Sequence, residues 1–245
     1  MKYVGLIPVR LKSTRLPSKA LKNICGMPAI VHVFKRCEFS KYLNDLYVVT
    51  DSKKIKKIVE NYNGKVILTK KHKNGSERIF EASKMLKFQN VINIQGDEIL
   101  IDPTNIDKLI LQMKKNKKDE YFIGVTKFNL QNQKSVFKAV LDNNKNLIYC
   151  SREDIPSSKI ITDNNRFKVV FTVGYRKQSL KNFVKWRQTY NEKREPNEFL
   201  RILDNEKKIK TVYFKNAHIS LDTITDLKKI RKIMVSDKLF KKYKI

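Results

Sequence analysis

An apolar run one strand long, Tyr3-Val4-Gly5-Leu6-Ile7-Pro8-Val9, stops at a basic loop, Arg10-Leu11-Lys12-Ser13-Thr14-Arg15-Leu16-Pro17-Ser18-Lys19. An uninterrupted apolar strand is one buried on both faces, and such strands belong to parallel sheets covered by helices. The segments that follow agree. Strands are expected at about 2–9, 45–50, 65–68 and 90–95, with helices between them. Ile55, Ile58, Val59 and Tyr62 make one helical stripe, and Ile106, Leu109, Ile110 and Met113 make another. Strand–helix alternation of this kind predicts an α/β fold with a mostly parallel central sheet between helical layers.

The chain of 245 residues is expected to be one domain, 1–245, with an exception at 120–176. There Tyr121–Phe128, Val136–Leu141, Leu147–Cys150 and Lys168–Tyr175 read as strands without long helices between them. That predicts an antiparallel insertion, an element often used for dimerisation or for covering a substrate. Helices are expected again at about 178–187 and 196–205, then a strand at Ile209–Phe214 and a last helix at about 224–235. Thr223 and Asp226 have the spacing of a capping box for that helix.

The formal net charge is +29, from 53 Lys+Arg against 24 Asp+Glu. The excess is lysine spread over most of the expected helices, as in Lys53-Lys54-Ile55-Lys56-Lys57. Nothing resembles a helix-turn-helix, a zinc finger or an aromatic single-strand platform, so no specific nucleic-acid partner is expected. No stretch approaches the ~18 apolar residues of a membrane span, and Met1-Lys2 leads straight into a strand rather than a signal sequence. A cytoplasmic protein without membrane insertion is expected. Cys25, Cys37 and Cys150 are odd in number and scattered, as reduced structural thiols are. His32, His72 and His218 look isolated, with His32 a packed helix residue. No nucleophile stands beside a base.

The chemistry is therefore sought in fixed charges. Ligands bind open α/β sheets outside the carboxyl ends of the strands. Arg10, Arg15 and Lys19, with the hydroxyls of Ser13 and Thr14, leave one such end together and suit a polyphosphate. Asn93-Ile94-Gln95-Gly96-Asp97-Glu98 follows another apolar strand. A carboxylate there, Asp97, is a common place for Mg²⁺, which takes one or two protein carboxylates plus substrate phosphates. Asp222 is a second such acid if the fold brings it near; the other reading is an ordinary helix N-cap. Gly75-Ser76-Glu77-Arg78 opens a helix, with Ser76 a candidate cap. Arg78 opposes the helix dipole, which points to a ligand for it to hold.

Taken in order, these segments resemble the 3-deoxy-manno-octulosonate cytidylyltransferases, the CMP-Kdo synthetases. The resemblance runs from Ile7-Pro8-Val9-Arg10 and Ser13-Thr14-Arg15-Leu16-Pro17 with Lys19, through Gly26-x-Pro28, Ile30-Val31-His32-Val33 and Val48-Val49-Thr50-Asp51. It continues through Gly75-Ser76-Glu77-Arg78-Ile79, Gln95-Gly96-Asp97-Glu98, Ser151-Arg152 with Ile155-Pro156, Gly174-Tyr175-Arg176, Glu198-x-Leu200-Arg201 and Leu221-Asp222-Thr223. It implies a nucleotide-diphospho-sugar-transferase-like three-layer sandwich whose antiparallel element makes a homodimer. It implies the reaction of CTP with a 3-deoxy-2-ulosonic acid to give a CMP-sugar for cell-surface polysaccharide, plus pyrophosphate, with Mg²⁺ as cofactor.

By the same resemblance Pro8, Arg10, Ser13, Arg15, Lys19, Arg78 and Gln95 hold the nucleotide. Gln95, Arg152, Tyr175 and Glu198 face the acidic sugar. Asp97 and Asp222 hold the metal, and Lys19, Arg10 and Asp97 carry the catalysis. Three departures stand out. Ser18 occupies a position that is usually Gly, and a positive φ there would disfavour serine. Val169 and Phe199 replace a His and a Gln of the acceptor side. A pocket that loses partners for sugar hydroxyls changes its selectivity. Acceptors thus range from Kdo and amino or deoxy relatives to a nonulosonic acid, with a non-catalytic nucleotide- or polyanion-binding protein as the alternative outside catalysis.

Overall fold

The first apolar run forms β1 (Tyr3–Pro8), in which every residue is buried. The computed structural model describes residues 1–128, 133–157, 166–217 and 219–244. After β1 come a small hairpin of β2 (Asn23–Ile24) and β3 (Met27–Pro28), then α1 (Ala29–Cys37), β4 (Asp45–Thr50) and α2 (Lys53–Asn61). β5 (Val66–Leu68), α3 (Gly75–Lys84), β6 (Asn90–Ile94) and α4 (Pro103–Lys115) complete the alternating half. Next are β7 (Tyr121–Lys127), β8 (Lys138–Leu141), β9 (Leu147–Ser151) and β10 (Phe167–Arg176). The chain ends with α5 (Lys177–Lys185), α6 (Tyr190–Arg194), α7 (Leu200–Asp204), β11 (Ile209–Tyr213) and α8 (Ile224–Ser236). Among the described residues no helix is long and apolar enough to cross a membrane.

Two compact units are distinguished, Met1–Asp107 with His218–Ile245, and Lys108–Ala217. In the first, parallel strands run in the order β6-β1-β4-β5. The chain begins at β1, moves out through β4 to β5, and returns to β6 on the other side of β1. Successive loops therefore part above β1 and β6, and that switch point is where such sheets leave a crevice. Leu6, Ile7, Val48, Val49, Ile92 and Ile94 fill the interior with Ile30, Ile55 and Ile79 from the helices. His32 is buried in α1, as expected of a packed histidine. Arg36, also buried, donates to the Ile101 carbonyl at 2.7 Å and pairs with Asp237 at 2.8 Å. A buried guanidinium needs such partners, and here they tie α1 to the end of the chain.

In the second unit β7 and β10 pair antiparallel, β8 pairs antiparallel with β10 and β9, and β11 lies parallel to β7. The strands expected at 120–176 are all present. The helix expected at 196–205 is present but shorter, as α7. Glu192 accepts from the Thr189 N–H at 3.4 Å at the start of α6, and α7 starts only at Leu200. Pro196 lies between them. It has no N–H for a helical bond and pushes the preceding residue away from helical geometry. Asn197 then accepts a hydrogen bond from the Phe199 N–H at 3.1 Å, a local turn in place of a helical one.

Candidate active site

A cavity of about 380 Å³ opens in the first unit above the carboxyl ends of β1 and β6. Pro8, Arg10, Ser13, Arg15, Lys19, Arg78 and Gln95 all line it. These are all seven residues that the sequence pointed to as nucleotide-binding. They arrive from three neighbouring segments. The loop after β1 carries Arg10 to Lys19. The start of α3 supplies Gly75 and Arg78, and the turn after β6 supplies Gln95, Gly96 and Asp97. At Gly96 a side chain would crowd the neighbouring backbone. A Cβ would lie 3.1 Å from the Pro8 carbonyl oxygen and 3.3 Å from the Val9 Cβ.

Lys19 is the centre of the charge arrangement. Its Nζ donates to Asp97 Oδ2 at 2.6 Å and to Asp222 Oδ1 at 3.1 Å. Burial alone would pull its pKa down. The charges and hydrogen bonds of Asp97 and Asp222 outweigh that and hold it above the ordinary lysine value. Arg15 reaches Asp222 as well, at 2.9 Å. The two carboxylates are distant in sequence, and a backbone hydrogen bond from the Leu221 N–H to the Asp97 carbonyl at 2.9 Å brings their segments side by side. Asp222 is not the helix cap. That position is taken by Thr223, whose hydroxyl accepts from the Asp226 N–H at 3.2 Å while Asp226 receives the Thr223 N–H at 2.8 Å. The capping box is thus complete without Asp222, which is left for the cavity side.

At α3 the cap is Asn74, whose side chain accepts from the Glu77 N–H at 2.9 Å, and Ser76 is buried instead of capping. Arg78, buried at 4% exposure, has partners within the protein. It donates to Thr69 Oγ1 at 2.9 Å and pairs with Asp51 at 3.3 Å. Those residues follow β5 and β4, so the guanidinium is braced across two neighbouring strand ends. His72 corrects the sequence reading. It is not isolated: it lines the cavity, hydrogen-bonds Glu81 through Nε2, and has Glu77 3.6 Å from Nδ1. Glu77 and Glu81 stand one helical turn apart on α3, a spacing that would have revealed the shared face.

Of the acceptor-side candidates, Gln95 lines the same cavity. Arg152, Tyr175 and Glu198 belong to the second unit. Arg152 is half-buried, with its guanidinium 4.5 Å from the centre of the Phe137 ring. Tyr175 is buried, edge-on to Tyr121 with 6.1 Å between ring centres and close to Phe183. Glu198 is half-buried just before α7. Val169 and Phe199 are buried, and Phe199 stacks on Phe171 at 5.6 Å. These side chains therefore give the unit an apolar interior at both altered positions.

The cytidylyltransferase family model matches residues 4–233. The chain belongs to the cytidylyltransferase family. It is 37% identical over 237 residues to the 3-deoxy-manno-octulosonate cytidylyltransferase of Fusobacterium nucleatum subsp. nucleatum, covering 94% of this chain and 96% of that one. It is 34% identical to the 8-amino-3,8-dideoxy-manno-octulosonate cytidylyltransferase of Shewanella sp. (strain W3-18-1), covering 94% and 97%. Among solved structures it is similar to a CMP:2-keto-3-deoxy-manno-octonic acid synthetase complexed with CTP, with a TM-score of 0.91, 28% identity and coverage of 96% and 99%. The fold anticipated from strand–helix alternation is the fold of that protein.

Proposed function

We propose that this cytidylyltransferase joins CTP to a 3-deoxy-2-ulosonic acid of the Kdo type, giving a CMP-sugar and pyrophosphate for cell-surface polysaccharide. One observation carries the reading. A cationic cavity at the sheet's switch point gathers every nucleotide-binding candidate beside two converging carboxylates. In this reading Arg10, Arg15 and Lys19 neutralise the triphosphate. Arg78 and the backbone at Pro8 face the cytosine, and Gln95 lies toward the sugar. The anomeric hydroxyl of the acid attacks the α-phosphorus. A new P–O bond forms, the bond to the β-phosphate oxygen breaks, and the hydroxyl proton passes to solvent. Holding the reactants in line and compensating charge is sufficient for this chemistry, so no nucleophilic side chain is required.

Asp97 and Asp222 fit a magnesium ion. Both carboxylates already converge on one cation, the Lys19 ammonium, at the edge of a cavity suited to phosphate. Among the described residues no group of three or more His, Cys, Asp or Glu could hold a metal unaided, so substrate phosphates would supply the other ligands. Bound there, Mg²⁺ would offset charge that develops on the triphosphate.

Arg152, Tyr175 and Glu198 are the proposed acceptor-side residues, and the buried Val169 and Phe199 favour testing 8-amino and nonulosonic acids beside Kdo. The chain is further proposed to act in the cytoplasm as a homodimer joined through 120–176. The test is pyrophosphate release with CTP, Mg²⁺ and a panel of Kdo, 8-amino-3,8-dideoxy-manno-octulosonate and a nonulosonic acid. Turnover of one acid is expected. No turnover with any of them, together with salt-sensitive RNA binding, would replace the enzyme reading with a polyanion-binding one.

A further inference from the structure

In the second unit a buried lysine serves a purpose that the cytidylyl transfer described above leaves unassigned. Lys138, in β8, has its side chain at 1% exposure. Lysine is almost never fully buried unless it is paired, because its ammonium loses its hydration. The Lys138 Nζ donates to the backbone carbonyl of Arg152, to the Gln133 carbonyl at 2.8 Å, and pairs with Asp154 at 3.2 Å. Two of these three partners lie in the turn that follows β9. The turn is held from its other side by Glu195. One Glu195 oxygen accepts from the Ser151 hydroxyl, and the other accepts from the Arg152 N–H at 3.3 Å.

Arg152 is thus fixed through its own carbonyl and its own N–H by two charged groups. Its guanidinium is then laid over the Phe137 ring at 4.5 Å, with Nη1 donating to the Lys134 carbonyl at 3.3 Å. Among the described residues no carboxylate pairs with it, in contrast to Arg36, Arg78 and Arg201, which pair with Asp237, Asp51 and Glu192. A guanidinium whose backbone is clamped and whose fork has no carboxylate partner is prepared for an anionic ligand.

We infer that Lys138 and Glu195 are positioning residues that clamp the Ser151–Asp154 turn, so that Arg152 meets the carboxylate of the acidic sugar already in place. The inference rests on the acceptor reading of Arg152 proposed above. Displacing a binding group by about 1 Å costs on the order of 10²-fold in rate. Loss of the clamp therefore falls on the sugar and spares CTP.

The experiment uses the full chain, steady-state kinetics with CTP and the ulosonic acid varied separately, and the variants Lys138→Met, Glu195→Gln and Arg152→Ala. Lys138→Met raises the KM for Kdo, or for the 8-amino acid if the panel assay selects that, by roughly 10²-fold, with the KM for CTP unchanged. Glu195→Gln keeps the size of the side chain, weakens one arm of the clamp, and raises the same KM by about tenfold. It carries the test alone if Lys138→Met does not fold. Because Lys138 acts through Arg152, Lys138→Met combined with Arg152→Ala is no worse than Arg152→Ala alone. The clamp is refuted if wild type turns over the acid while both clamp variants keep its KM. It is also refuted if the KM values of both substrates rise alike, or if the double variant is fully additive. A wild type that neither binds nor turns over any ulosonic acid removes the acceptor reading itself, and the clamp's function with it.

Discussion

Ser18 offers the most direct test of how the loop delivers Lys19. Its backbone is at φ 53° and ψ 35°, in the left-handed region, immediately before the single helical turn Lys19–Leu21. That reversal turns the chain so that Lys19 meets Asp97 and Asp222. A residue with a Cβ costs about 1–2 kcal/mol in this region. The Ser18 hydroxyl returns nothing, since it makes no capping hydrogen bond and the residue is exposed. Glycine removes the steric cost but loses about 0.5–1 kcal/mol more chain entropy on folding. The difference favours Ser18→Gly by about 0.7 kcal/mol, with bounds near zero and ~1.5 kcal/mol. At this chain length a gain of that size corresponds to a rise in Tm of about 2 °C.

The assay is thermal melting followed by circular dichroism, with Ser18→Ala as the control. Alanine keeps the Cβ and loses the hydroxyl, so it melts with wild type. Ser18→Val, branched at Cβ, melts below both. Turnover of Ser18→Gly stays within about twofold of wild type, because the native turn is unchanged and Lys19 keeps both partners. If Ser18→Gly melts below wild type, the left-handed turn is not a steric cost in this protein. If Ser18→Ala falls as well, the hydroxyl contributes in a way that the geometry does not explain.

Two further predictions concern charge. Asp97→Asn removes one of the two carboxylates that meet at Lys19, and Mg²⁺-dependent pyrophosphate release falls by about 10²- to 10³-fold, comparable to the loss of one preorganised charge-stabilising group; retained activity would refute its metal role. His32 predicts an acid-sensitive fold: its Nε2 donates to the Ile24 carbonyl at 2.8 Å and its Nδ1 accepts from the Tyr243 hydroxyl at 3.0 Å. Burial first, and the Arg36 charge after it, hold its pKa below the ordinary histidine value against the opposing pull of the Ile24 carbonyl. The unfolded chain therefore takes up a proton below about pH 6.5 while the native state stays neutral, and stability falls with pH by up to ~1.4 kcal/mol per unit until the depressed native pKa is reached. Urea midpoints at pH 7.5, 6.5 and 5.5 should show that loss in wild type and a shallower one in His32→Gln; equal slopes would place the acid sensitivity elsewhere.

The parts of the site that were legible in the sequence are those whose local signal and spatial role coincide. Arg10 to Lys19 follow an apolar strand directly, and Gln95 to Asp97 follow another, so strand ends alone put them near a ligand. Asp222 was legible only as an alternative between cap and ligand, because a cap and a cavity acid share the same place before a helix. The structure removes the cap reading, since Thr223 and Asp226 complete the capping box, and the Leu221–Asp97 backbone bond sets Asp222 beside Asp97. Arg78 signalled itself by opposing its helix dipole, but its braces, Asp51 and Thr69, arrive from neighbouring strands and have no sequence periodicity to announce them. His72 precedes α3, and the Glu77–Glu81 spacing of one helical turn marks the face that it meets. At Pro196 the sequence is equally compatible with a helix start, and the later start of α7 comes with the Asn197 side chain accepting from the Phe199 N–H.

The large positive charge can then be resolved into two populations. Cations in the interior have carboxylate partners: Arg36 with Asp237, Arg78 with Asp51, Arg201 with Glu192 at 2.5 Å, and Lys138 and Arg166 together with Asp154. Surface lysines on the helices need no match, because water solvates them and salt screens them. Arg10 and Arg152 fit neither description. Arg152 is held in a clamped turn while Arg10 stands exposed on the cavity wall, and among the described residues neither pairs with a carboxylate. Fixed cations left without an internal anion are where external negative charge is stabilised most per group, since their geometry is already set and little ordering remains to be done on binding. A triphosphate and a sugar carboxylate are the two anions of the proposed reaction. The composition-level excess is therefore uninformative as a total, and becomes informative only when each cation is asked whether its position is fixed and whether its partner is already present.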